Sequence, residues 1–114
     1  MLHVKRYADA KPYEAANHWD VKGLRLQGFE PGAPEKFWVG LSHFLPGGGA
    51  GPDSGPVEKV YVVLSGHMTV WADGQEVVLG PMDSCTIPPG MERKITNVGN
   101  DICTMLVIVQ TPVK

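Results

Sequence analysis

The stretch PGGGAGPDSGPVEKVYVVLSG (46–66) decides the fold. Glycine and proline crowd its first half. Its second half is a β-branched run, Val60–Leu64, that stops at Ser65-Gly66. Such runs bounded by turn residues read as strands, so residues 46–56 are expected to be a loop and Val60–Leu64 a strand. The pattern repeats in both directions. Downstream, His67–Trp71 forms a partner strand, and Ala72-Asp73-Gly74-Gln75 carries the Asp-Gly pair of a two-residue hairpin. Glu76–Leu79 returns and turns at Gly80-Pro81, and the short run Ser84–Ile87 ends at Pro88-Pro89-Gly90. Arg93–Asn97 and the nearly all-apolar Cys103–Gln110 complete the series, the last being the expected central strand. Upstream, Phe37–Leu45 reads as a long strand ended by Pro46 and three glycines, and Val21–Gln27 alternates apolar with polar. Residues 28–35 are a turn-rich connection, and residues 8–17, interrupted by Pro12, read as a loose arm.

Composition agrees with this pattern. The chain has 114 residues, 43% hydrophobic and 19% charged, with 14 glycines and 10 prolines. That supports one domain over 1–114 with a single packed core. Short apolar runs between regular turn signals define an all-β barrel or sandwich, and closing it removes exposed strand edges. The longest apolar run, MLVIV (105–109), is too short to cross a bilayer. The N-terminus lacks a signal-peptide core, so a cytoplasmic protein is expected. A net charge of −2 without basic clusters leaves no footprint for nucleic acid. Cys85 and Cys103 are expected as small buried hydrophobes rather than a disulfide framework.

The pairing of residues 46–66 with LGPMDSCTIPPGMERKITNVG (79–99) resembles the cupin superfamily, across residues 36–110. The resemblance implies a jelly-roll β-barrel of 8–10 antiparallel strands, with a barrel core over 36–110 preceded by an N-terminal arm and strands over 1–35, and a homodimer. It also implies, for typical members, a divalent metal held inside the barrel by three histidines and a glutamate. Gly66, Pro88, Gly90 and Asn97 fall on the scaffold positions of the two family motifs. The ligand positions differ. Lys59 stands where the glutamate belongs, Pro52, Asp53, Ser54 and Gly55 occupy the His-x-His region, and Arg93 replaces the last histidine. Glu58 is one residue off, which in a strand points to the other face. Charged Lys and Arg are pure donors and cannot bind a cation, so no metal ligand and no cofactor are expected.

Two cations in one low-dielectric barrel call for an anion. Lys59 and Arg93 are therefore candidate catalytic groups: Arg offers a planar fork for a carboxylate, and Lys a point charge whose pKa falls when crowded. Tyr61, on the parity of Lys59, together with Asp53 and Met91, are candidate substrate contacts. His43 shares parity with Phe37, Val39 and Leu41, and is a candidate acid or base if that face is interior. His18 and Trp19 are expected in a surface loop, the alternative being that they fold the arm over a barrel opening or into a dimer contact. The expected function is metal-independent isomerase, lyase or cyclase chemistry on a small anionic organic molecule. Three alternatives stay open: a non-catalytic binding module, an atypical metal site built on His43 and Asp53, and a purely structural ion pair of Lys59 or Arg93 with Asp53 or Glu92.

Overall fold

The computed structural model describes residues 2–112. Among the described residues, nine strands follow one 3₁₀ turn at Tyr7–Asp9. They are β1 (Lys11–Tyr13), β2 (His18–Gln27), β3 (Phe37–Asp53), β4 (Lys59–Ser65), β5 (Met68–Ala72), β6 (Gln75–Leu79), β7 (Ser84–Ile87), β8 (Arg93–Thr96) and β9 (Cys103–Gln110). All pairings are antiparallel, in the order β6-β5-β8-β3-β9-β4-β7, with β2 also against β3 and β1 against β2. The sheet curls into a nearly closed jelly-roll barrel. No helix among the described residues is long and apolar enough to cross a membrane.

The core follows strand alternation. On β4, Tyr61 and Val63 point inward and are buried. On β9, Cys103 and Met105 do the same, and that strand lies between β3 and β4 as a central strand should. Phe44, Met68, Ile95 and Ala50 complete the centre. Removing apolar surface on this scale from water is the main driving force for closure, at about 25 cal/mol per Å².

The glycine-rich segment departs from expectation. Residues 46–53 are not a loop: β3 runs from Phe37 through Pro46 and the glycines to Asp53. It pairs with β9 over Phe37–Phe44 and with β8 over Gly49–Asp53, changing neighbours in between. The glycines serve that exchange. A Cβ at Gly49 would collide with the Ile95 carbonyl oxygen, and one at Gly51 with that of Arg93. A Cβ at Gly48 would meet the Asp20 carbonyl oxygen. Gly47 donates its N–H to the Asn97 carbonyl at 2.7 Å, and Asn97 returns its N–H to the Gly48 carbonyl at 2.8 Å. Here glycine marks close backbone approach inside a sheet, not a turn.

The N-terminal region is also more ordered than an arm. β1 pairs with β2, and β2 starts at His18 rather than Val21. Its register slips between Trp19 and Val21, where Asp20 adopts a φ of 50°.

Candidate functional site

A cavity of about 240 Å³ opens between β1, β2, β3, β4, β8 and β9. Lys59, Tyr61, Asp53 and Arg93 all line it, together with Tyr13, His18, Trp38 and Ser42. Strand parity explains the set. Lys59 and Tyr61 alternate inward on β4, while Arg93 opens β8 opposite Asp53 of β3.

Arg93 is 4% exposed. Its Nε donates to the Tyr61 hydroxyl oxygen at 2.8 Å. Its Nη1 is buried without a hydrogen-bond partner. An unpaired buried charged donor is costly, and among the described residues Arg25 Nε is the other such side-chain atom. Lys59 is half-buried beside Arg93, and its pKa is lowered, first by burial and then by repulsion from Arg93, with Asp53 opposing. Burial raises the Tyr61 pKa, against the attraction of Arg93 for a phenolate, so the hydroxyl keeps its proton at neutral pH. It accepts from Arg93 and still has its own proton to give.

The structural ion pair weighed above is not formed. Among the described residues the ion pairs within 4.0 Å are His3–Glu30 and Lys5–Glu30, and neither Asp53 nor Glu92 reaches Lys59 or Arg93. Asp53 is exposed at the cavity rim, close enough to be felt electrostatically by Lys59, Tyr61 and His18.

Two expected contacts lie elsewhere. His43 is on the face of β3 turned away from the cavity, which Ser42 and Phe44 line instead. Its Nδ1 is 3.0 Å from Thr104 Oγ1, and its Nε2 is 3.4 Å from the Tyr7 hydroxyl. Parity misled because the face of β3 that carries Leu41 and His43 is itself partly covered: Leu41 is buried there, and the N-terminal segment brings Tyr7 to His43. Met91 precedes β8 in the turn at Pro88–Glu92, and packs toward Val70, Leu79 and Ile87 in a neighbouring cavity. It does not line the cavity that holds Lys59.

His18 was the residue most undervalued by sequence. It is not on a surface loop but at the cavity wall, and its pKa is lowered, chiefly by burial and further by Arg93 and Lys59. The bulge after Trp19 breaks the alternation that would have exposed its direction. Tyr13 carried no legible signal, being part of a three-residue strand. Both cysteines behave as hydrophobes: burial raises each thiol, that of Cys103 to about 11.

These residues do not fit the divalent metal of typical cupins. Two of the ligand positions hold cations, and no group of three or more His, Cys, Asp or Glu side chains among the described residues could hold a metal ion.

The nearly closed antiparallel jelly-roll barrel is the fold of the cupins. The cupin-domain family model matches residues 40–109, so the chain belongs to the cupin family. It is 44% identical over 112 residues to "Beta-D-galactosidase Rv1717" of Mycobacterium tuberculosis, covering 98% of this chain and 97% of that one. Among solved structures, it is similar to the polyketide cyclase RemF of Streptomyces resistomycificus, with a TM-score of 0.80, 23% identity, and coverage of 100% of this chain and 84% of that one. A longer Pseudomonas aeruginosa chain, named for induction by glyoxylate, gives a TM-score of 0.80 at 22% identity, over 90% of this chain and 39% of that one. At these identities the structural matches establish the fold alone.

Proposed function

We propose that this cupin is an enzyme that works in the β4–β8 cavity, without a metal. Its substrate is a small organic molecule that carries or develops negative charge on oxygen, as a carboxylate, phenolate or enolate does. The chemistry is of isomerase, lyase or cyclase type. The observation that carries this reading is that two cations, Arg93 and Lys59, line one cavity with no carboxylate among the described residues within ion-pair distance of either, Arg93 having in addition a buried Nη1 without a partner. An anion there would satisfy the guanidinium, offset the repulsion between the two cations and take the place of the missing carboxylate. Donors fixed before the reaction stabilise charge that develops in the transition state without further reorganisation. Tyr61, held by Arg93, supplies a proton at the same place.

A thermal-shift screen of small carboxylates and phenols tests this reading. A ligand at 100 times its Kd stabilises the fold by about 2.7 kcal/mol. The wild-type protein is expected to gain several degrees with at least one such compound, and Arg93→Met and Lys59→Met to lose that gain. Equal shifts in all three proteins would overturn the assignment. One equivalent of tightly bound metal per chain, in protein purified without chelator, would overturn the metal-free part.

The full-length similarity to a β-D-galactosidase favours a second reading, hydrolysis of a β-galactoside. Tyr13 and Trp38 offer aromatic surface and the remaining lining offers hydrogen bonds, a combination suited to a sugar ring. Asp53 is the one carboxylate among the lining residues, so the usual carboxylate pair of glycosidases is lacking there. Release of nitrophenol from nitrophenyl β-D-galactoside, abolished in Asp53→Asn, would support this reading. No release above the uncatalysed rate would end it.

A further inference from the structure

We infer that His18 is the proton acceptor of this site, a general base whose tautomer is set by the backbone before any ligand arrives. The inference rests on the cavity being the reaction site. The chain turns at Asn17, with a φ of 58°, and enters β2 with His18 opposite Ala50. Two bonds tie this corner to the glycine-rich end of β3. Asn17 Nδ2 donates to the Pro52 carbonyl at 3.0 Å, and Gly51 N–H donates to the Asn17 carbonyl at 3.0 Å. The imidazole is thereby carried to the cavity wall.

His18 Nδ1 lies 2.7 Å from the Ala16 carbonyl oxygen. A carbonyl can only accept, so Nδ1 carries the hydrogen. In the neutral ring the lone pair is then on Nε2. The charged and titratable groups sharing the cavity are Tyr13 from β1, Asp53 from β3, Lys59 and Tyr61 from β4, and Arg93 from β8. Burial, Arg93 and Lys59 disfavour the imidazolium, while the Ala16 carbonyl and Asp53 favour it, and the net shift is downward. The ring is therefore neutral at pH 7. Tyr61 is displaced the other way, by burial. The cavity thus presents an unprotonated imidazole and a protonated hydroxyl together.

The step balances. Nε2 takes a proton from a carbon or hydroxyl of the substrate, and the electron pair left behind moves onto a substrate oxygen facing Arg93 and Lys59. A proton returns to another atom from the His18 imidazolium, or from Tyr61, whose phenolate then recovers the proton held by the imidazolium. In an isomerisation the substrate loses and regains one proton.

Alkylation of the wild-type chain by bromoacetate at pH 7 reads out this assignment without knowledge of the substrate. Nε2 attacks the methylene carbon, a C–N bond forms, and bromide leaves with its electron pair. The site's positive field is expected to raise the local concentration of the anionic reagent by about tenfold or more. Peptide mapping and NMR should then find carboxymethyl on Nε2 of His18, formed at least about tenfold faster than on the exposed His67. The rate should rise with pH through a midpoint below the ordinary histidine range, and neutral bromoacetamide should be slower at His18. Modification of His18 no faster than His67 by either reagent, or attachment at Nδ1, would overturn the proposal. Equal speed of the two reagents at His18, with attachment at Nε2, would leave the base assignment standing and remove the anion-binding reading instead.

Discussion

Two arginines of this barrel each bury a side-chain nitrogen that has no hydrogen-bond partner, Nε of Arg25 and Nη1 of Arg93, but their surroundings differ. Arg25 of β2 lies against three aromatic rings, with its guanidinium carbon 4.6 Å from the centroids of Tyr13 and Phe29 and 5.0 Å from that of Trp38. Tyr13 and Trp38 brace each other edge to face at 5.3 Å. Arg93 instead donates to the Tyr61 hydroxyl and shares the lining of a cavity with a second cation, Lys59. Other cations also have evident company: Lys5 pairs with Glu30, and Lys94 lies over Trp71. A guanidinium enclosed by π-faces is a packing element as much as a charge. One that shares a cavity with a second cation stores electrostatic stress that an anion would relieve. The first packs the fold together, and the second is the group to which our proposal gives a ligand.

Gly49→Ala puts most strain on this comparison. Its Cβ would strike the Ile95 backbone, which has no side-chain freedom to yield, so β3 and β8 must separate. We expect a loss of about 3 kcal/mol or more in urea unfolding. Gly47→Ala, with a φ of 86° and open space around the position, should lose only about 1 kcal/mol. Similar losses at both positions would mean that close backbone approach does not set the path of β3. Arg25→Met is expected to cost about 2 kcal/mol, from lost cation–π contact. Arg93→Met should instead be neutral, or stabilising by about 1 kcal/mol, because it removes a poorly compensated buried charge. Equal destabilisation by the two substitutions would break the contrast.

The smallest effect expected is in the pH dependence. The folded pKa of His18 lies below its ordinary value of 6.5. Between those two values the unfolded chain binds more protons, so stability rises with pH through the window and falls on acidification below 6.5. His18→Gln should flatten that part of the profile. Lys59 has the same sign at higher pH: its folded pKa lies below 10.5, so stability should rise as pH climbs from that folded value toward 10.5. Denaturant titrations at stepped pH check both, and a slope of opposite sign near pH 6 would contradict the placement of His18.

Much of the fold was legible because β-structure writes itself locally. Alternation and turn residues located β4 to β9 to within a residue or two of their observed bounds. The motif spacing brought Lys59, Arg93, Tyr61 and Asp53 to one cavity, since each position depends on strand parity near a recognisable turn. His43 and Met91 were misplaced where parity ceases to be informative: one on a strand whose outer face is also partly covered, the other in a turn outside any strand. His18 was undervalued because a bulge two residues on resets the alternation. The glycine-rich segment misled because glycine serves turns and close strand approach alike.

By itself, then, the sequence determined an all-β barrel of cupin type and the replacement of its metal ligands by cations, because strand period and motif spacing are properties of the chain read in order. The tertiary structure alone decided which side of β3 faces the cavity, that Arg93 meets Tyr61 rather than a carboxylate, and that His18 arrives from the far end of the chain. Those outcomes depend on contacts between residues distant in sequence, and on which neighbour removes each side chain from water. No local pattern encodes them.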